Sequence, residues 1–241
     1  MIRTEGLTKS FGRVQAISAV GFAAPNGRIT ALLGPNGAGK STTLRILATV
    51  LRADGGAAWV DDHEVAADPA AVRRAIGVLP HGAGLYDRLT ARENIAYFGA
   101  LHGLPRGALQ ARVEALVEQL DMGDFAERRV EGFSQGQRIK VALARALVHD
   151  PKNVLLDEPT NGLDVMATRA LRDIILALKA EGRCVVFSSH VMQEVASLCD
   201  DVVVIGGGRV RFAGPLDELK RSTGEADLED AFVRVVGETA A

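Results

Sequence analysis

The chain's 241 residues suffice for one large α/β domain, or for a domain with a small subdomain. Apolar residues make up 47% and charged residues 24%, ordinary globular values, and the net charge of −2 implies no broad basic surface for nucleic acid. The two cysteines, Cys184 and Cys199, have no second Cys or His at metal-ligand spacing, which predicts reduced core thiols in a cytosolic protein.

The opening Met1-Ile2-Arg3-Thr4-Glu5-Gly6 carries no apolar signal region. From Met1 to about Ala24 apolar and polar residues alternate, with turn signals at Gly12 and Pro25-Asn26-Gly27. This pattern predicts short, twisted antiparallel strands. Phe11 is one of few aromatics. It reads either as a half-buried strand residue, which the residues alone favour, or as a ring that stacks on adenine.

The next stretch is Gly34-Pro35-Asn36-Gly37-Ala38-Gly39-Lys40-Ser41-Thr42, which fits G-x-x-x-x-G-K-[ST] at every fixed position. The apolar run Ile29 to Leu33 precedes it, and Leu44, Leu47 and Leu51 follow at helical spacing, with Ile46 and Val50 beside them. The glycines therefore fall at a strand-to-helix turn, where backbone N–H groups converge on one anion and the helix adds its positive end. Lys40 can reach the β- and γ-phosphates of a nucleotide, and the Ser41 hydroxyl can reach Mg²⁺.

Beyond a turn at Asp54-Gly55-Gly56, a strand is expected over Ala57 to Asp61. A short helix over Ala70 to Arg74 and a strand over Ile76 to Leu79 follow, the strand ended by Pro80. From His81 to about His149 the pattern turns helical. Tyr86 to Leu101 and Leu109 to Leu120 carry apolar residues three and four apart. Ser134 and Gln137 form a capping box before Ile139, Leu143 and Leu147. That arrangement is either a well-capped helix or a second anion site built from a serine, a glycine and a helix N-terminus.

The strand Val154-Leu155-Leu156-Asp157-Glu158 ends in two carboxylates, and strand ends in α/β sheets face ligand crevices. Asp157 suits Mg²⁺, and Glu158 suits the water that attacks a γ-phosphate. Asp164 is placed to cap the helix carrying Leu171, Ile174, Ile175 and Leu178, with Gly182 as its stop. The strand Cys184 to Phe187 delivers Ser188, Ser189 and His190 to the same edge, where His190 can contact a γ-phosphate. Strands at Val202 to Ile205 and Arg209 to Phe212 follow. A charged helical tail begins at Pro215, with Leu228, Ala231, Phe232 and Val235 on one face. No apolar run approaches the ~20 residues of a membrane helix, so work at a membrane requires a span from another chain.

Taken in order, five motifs resemble the nucleotide-binding subunit of ABC transporters, over about Ile2 to Leu219. They are Gly34–Thr42, Phe133-Ser134-Gln135-Gly136-Gln137, Asp157-Glu158, Gly162-Leu163-Asp164 and His190. The resemblance implies an α/β fold. Its P-loop NTPase core has a mixed, mainly parallel sheet with helices on both faces, beside an N-terminal antiparallel β region and an inserted α-helical subdomain. The expected bounds are 1–80 and 150–215 for the core, 81–149 for the helical part and 216–241 for the tail.

The resemblance further implies ATP hydrolysis with Mg²⁺ and a head-to-tail dimer holding two ATP molecules. Lys40, Ser41, Thr42, Asp157, Glu158 and His190 of one copy would face Ser134 and Gly136 of the other. Phe11 falls at the family's adenine-stacking position, and Asp164 in the loop that crosses the dimer joint.

Two departures stand out. His81 follows the strand where the family has a glutamine, which makes His81 a candidate site residue. Phe133 and Gln135 replace a leucine and a glycine. Gly84 to Asn94 and Leu228 to Phe232 resemble the ATPases of ABC-2-type exporters of the sodium-extrusion and drug-efflux kind. That implies a separate integral-membrane permease, which would hold this cytoplasmic chain at the inner face of the cell membrane and place a coupling helix in a groove over Leu85 to Gly103. The rival readings are a soluble ABC-type ATPase acting on DNA or ribosomes, and a non-hydrolysing ATP-gated interaction module.

Overall fold

The structure is a computed structural model that describes residues 1–82 and 84–237. Two long strands, β1 (Ile2–Phe11) and β2 (Val14–Ala24), pair as an antiparallel hairpin closed at Gly12, whose φ of 59° is left-handed. At 10 and 11 residues they are longer than the short strands expected. Register shifts after Thr4, Leu7 and Lys9 interrupt the alternation that marks a continuous strand. With β4 (Gly55–Val60) and β5 (His63–Glu64) they form a sheet in the order β2-β1-β4-β5.

The second sheet is built from β3 (Ile29–Leu33), β6 (Ile76–Leu79), β7 (Asn153–Asp157), β8 (Cys184–Ser189), β9 (Asp201–Gly206) and β10 (Arg209–Pro215). Its order is β10-β9-β3-β8-β7-β6, parallel throughout except for the β10–β9 pair. Every residue of β3 is buried, as in a parallel strand covered on both faces. Ile29, Ala31 and Leu33 enter one core and Leu32 enters the other, because successive side chains point to opposite faces.

The helices are α1 (Lys40–Leu47), α2 (Pro69–Ala75), α3 (Ala91–Leu101), α4 (Arg106–Gln119), α5 (Gln135–Leu147), α6 (Val165–Ala180), α7 (Met192–Leu198), α8 (Leu216–Thr223) and α9 (Leu228–Gly237). Helix α1 ends before the expected Leu51. Thr49 turns left-handed at φ 61°, and Val50 is 69% exposed. The helix expected from Tyr86 starts only at Ala91, where Thr90 and Glu93 form a capping box. Upstream, the Asn94 side chain folds the chain back: its Oδ1 accepts from Tyr86 N at 2.9 Å and its Nδ2 donates to Tyr86 O at 3.1 Å. In α9, Leu228 and Ala231 are buried, and Phe232 and Val235 pack beside them. The last part of the expected tail, 238–241, lies outside the described residues.

One contact ties α3 to the segment after α5. The His102 ring stacks on that of His149 at 3.6 Å, 3° from parallel. His149 Nε2 lies 2.9 Å from Ile76 O, and since a carbonyl only accepts, this nitrogen carries the proton. Burial, followed by the neighbouring His102, pushes the His149 pKa down to about 4. The folded state therefore binds fewer protons than the unfolded chain between about pH 4 and the ordinary histidine value of ~6.5. Folding stability is expected to fall as pH drops through that window. In urea titrations at pH 7 and pH 5, His149→Gln should show a smaller loss than the wild type; equal losses would contradict the assignment.

Candidate nucleotide site

The turn between β3 and α1 is shaped by two close approaches. A Cβ on Gly34 would lie 2.3 Å from Ile205 O, so β9 can pass against the loop only because the side chain is absent. Gly39, at φ 107°, would drive a Cβ to 2.4 Å from Ile17 Cγ2 and 2.8 Å from Ala16 O of β2. Gly39 also caps α1 without bringing a side chain to its first turn, which leaves those N–H groups to an anion.

Lys40 is only 4% exposed. Its Nζ donates to Gly34 O at 2.7 Å and to Pro35 O at 3.2 Å, and it lies 3.8 Å from Glu158 Oε1. Burial pushes the ammonium pKa down, while the Glu158 and Asp157 carboxylates pull it up.

The sheet order brings three distant stretches together, because β8 lies between β3 and β7. Leu32 is opposite Ser188, and Ser188 is opposite Asp157. Asp157 Oδ1 accepts from Ser41 Oγ at 3.0 Å and from Ser188 Oγ at 2.7 Å. Ser188 in turn accepts the Glu158 N–H at 2.9 Å. Glu158 sits at φ 49°, a left-handed backbone that a glutamate rarely adopts. Strain of this kind costs on the order of 1–3 kcal/mol and persists where the surroundings hold it. His190 Nδ1 lies 3.5 Å from Glu158 Oε1. Lys40, Ser41, Asp157, Glu158 and His190 thus form one cluster.

The serine at 188 was legible only as part of a strand end. Its place as the link between Asp157 and the Glu158 backbone comes from pairing β7 with β8. The one signal in the sequence is a buried polar residue closing the apolar run Cys184 to Phe187.

His81 joins the cluster more loosely. It lines a cleft of about 120 Å³ with Gln135, Asp157, Glu158 and Asn161. The capping box at Ser134 is present: Ser134 Oγ accepts from Gln137 N at 3.3 Å, and Gln137 Oε1 accepts from Ser134 N at 3.1 Å. Asp164 caps α6, its Oδ1 accepting from Ala167 N at 2.8 Å. Among the described residues, no hydrogen bond or ion pair joins Ser134, Gly136 or Asp164 to residues 34–42. Phe11 is 48% exposed at the end of β1, with Lys9 Nζ 5.8 Å from its ring.

A glycine-lined loop opening a helix, with a lysine, two strand-end carboxylates and a histidine around it, defines a phosphate-loop ATPase. The chain belongs to the ABC transporter family, whose sequence model it matches over residues 17–161. It is an ATP-binding subunit of that family and hydrolyses ATP. It is 46% identical to the ABC transporter ATP-binding protein NatA of Bacillus subtilis (strain 168), over 91% of this chain and 90% of that protein. It is 38% identical to the daunorubicin/doxorubicin resistance ATP-binding protein DrrA of Streptomyces peucetius, over 92% of this chain and 68% of that one.

Among solved structures, an ATP-binding subunit of an ABC transporter superposes with a TM-score of 0.89 at 28% identity, over 98% of this chain and 99% of that one. The dimeric structure of MJ0796, a bacterial ABC transporter cassette, gives 0.80 at 26% identity, over 90% and 99%.

Proposed function

We propose that two copies of this chain close head to tail around two ATP molecules, and that hydrolysis reopens them. In each site Lys40 and backbone N–H groups within the loop Gly34–Thr42 hold the phosphates, and Phe11 stacks on adenine. Ser134 and Gly136 of the second copy close over the γ-phosphate, and the loop ending at Asp164 crosses the joint. Glu158 orients the attacking water, His190 contacts the γ-phosphate, and His81 lines the water's approach.

Mg²⁺ fits beside Ser41 and Asp157, which offer hard oxygen donors 3.0 Å apart. When bound, the ion neutralises charge on the β- and γ-phosphates. On this reading 1–80 and 150–215 form the ATP-binding core, 81–149 the signature-bearing unit and 216–241 a tail.

The observation that carries the reading is the shared Asp157 Oδ1, which binds the loop hydroxyl of Ser41 to the strand that presents Glu158. Losing the γ-phosphate removes the charge-assisted bridge between the copies, and this movement drives export through a separate membrane permease. The resemblance to NatA and DrrA supports an exporter. Tyr86, Tyr97 and Leu101, which lie exposed over the stretch 85–103, offer apolar purchase to that permease. The complex then sits at the cytoplasmic face of the cell membrane. Phosphate release by the purified chain should stop when EDTA is added and resume with excess Mg²⁺; undiminished turnover in EDTA would overturn the metal's place.

A further inference from the structure

Two segments leave the cluster, one after Glu158 and one at His190, and one carboxylate holds both. Thr160 begins the turn that follows Glu158 and runs to Asp164; its carbonyl accepts from Leu163 N at 3.1 Å. Ser189, 2% exposed, ends β8 immediately before His190. Glu194 Oε2 accepts from Thr160 Oγ1 at 2.8 Å and from Ser189 Oγ at 3.1 Å. Ser189 Oγ also accepts the Val191 N–H at 3.0 Å, so His190 is bracketed on both sides by one serine hydroxyl.

Glu194 lies in the first turn of α7, where an acid stabilises a helix by its charge alone. Its hydrogen bonds do not serve the helix, however. No side chain caps α7, and both bonds of the Glu194 carboxylate go to hydroxyls of other segments. Helix α7 is itself anchored, with Val195 and Leu198 in the core. The carboxylate is therefore a fixed post for two segments that also meet at Glu158, whose N–H donates to Ser188 Oγ and whose carboxylate lies beside His190.

We propose that Glu194 is a positioning residue for ATP hydrolysis, a clasp that sets His190 and the turn from Thr160 to Asp164 against each other. The inference rests on the role given above to His190. Both donors are hydroxyls and the acceptor is charged, so each bond is of the stronger, charge-assisted kind. The clasp transmits the position of the turn at the joint between copies to the histidine at the γ-phosphate, and so matters for the chemical step rather than for holding nucleotide.

The test is steady-state phosphate release by the full chain, with KM for ATP and the melting temperature measured alongside, for Glu194→Ala, Glu194→Gln, Thr160→Val and His190→Ala. Glu194→Ala should lower kcat about tenfold with KM changed less than about twofold. Glu194→Gln keeps a carbonyl that can accept both bonds and should restore most of kcat. Thr160→Val should lower kcat on its own, and added to Glu194→Ala should cost less than the sum of the two.

Normal kcat in Glu194→Ala beside a slow His190→Ala would overturn the clasp and leave the reading of His190 standing. Normal kcat in His190→Ala would overturn that reading and the clasp with it. A parallel loss of kcat, ATP affinity and melting temperature in both Glu194 variants, with Thr160→Val unaffected, would show a structural role and overturn the proposal.

Discussion

Glu158→Gln is expected to cut ATP turnover by roughly 10²-fold or more while ATP still binds, the range lost with a general base. The side chain keeps its size, and its backbone N–H stays bound to Ser188 Oγ at 2.9 Å, so the cluster survives the change. What is lost is the negative charge that lies 3.8 Å from Lys40 Nζ and 3.5 Å from His190 Nδ1. Without it, nothing at that position draws a proton from the attacking water. Removing a carboxylate beside a triphosphate also relieves repulsion, so ATP should bind at least as tightly. The variant should run as a dimer with ATP and as a monomer with ADP, read by light scattering on a sizing column. Wild-type turnover in this variant would refute the role given to Glu158.

Lys40→Ala is expected to weaken ATP binding roughly 10- to 150-fold, the span of a hydrogen bond to a charged group. Lys40 also pins its own loop through Gly34 O and Pro35 O. The substitution leaves both carbonyls without that donor, which costs about 1–3 kcal/mol where water does not reach them. Thermal unfolding separates the two effects. With ATP about 100-fold above the wild-type Kd, ligand stabilisation is about 2.7 kcal/mol; a variant weakened a hundredfold keeps about 0.4. An undiminished ATP-induced rise in Tm would remove Lys40 from the phosphate site.

The parts of the site that chemistry forces into a fixed spacing were legible in the sequence. The residues Gly34 to Thr42 could be placed from their pattern and flanking runs. The capping box of Ser134 and Gln137 and the N-cap at Asp164 appear where their spacing put them. The remainder depended on contacts between distant segments. The two partners of Asp157 Oδ1 follow from β8 lying between β3 and β7, an order no local pattern encodes. Helix α7 escaped because it has seven residues and buries two of them, Val195 and Leu198. The late start of α3 followed from the Asn94 side chain, which satisfies the backbone of Tyr86 in place of a helical turn.

The central strand β3 is a wall common to two cores, with Ile29, Ala31 and Leu33 on one side and Leu32 on the other. Its amides cannot be reached by deuterium until both cores have come apart, so their exchange measures the opening of the whole molecule. The amides of α3 and α4, which rest on one core alone, can trade their protons through a smaller and less costly breach. The strand that leads into the phosphate loop is thus among the last to yield, together with β7, β8 and β9, which also face both cores, and α3 and α4 are expected to give way before it.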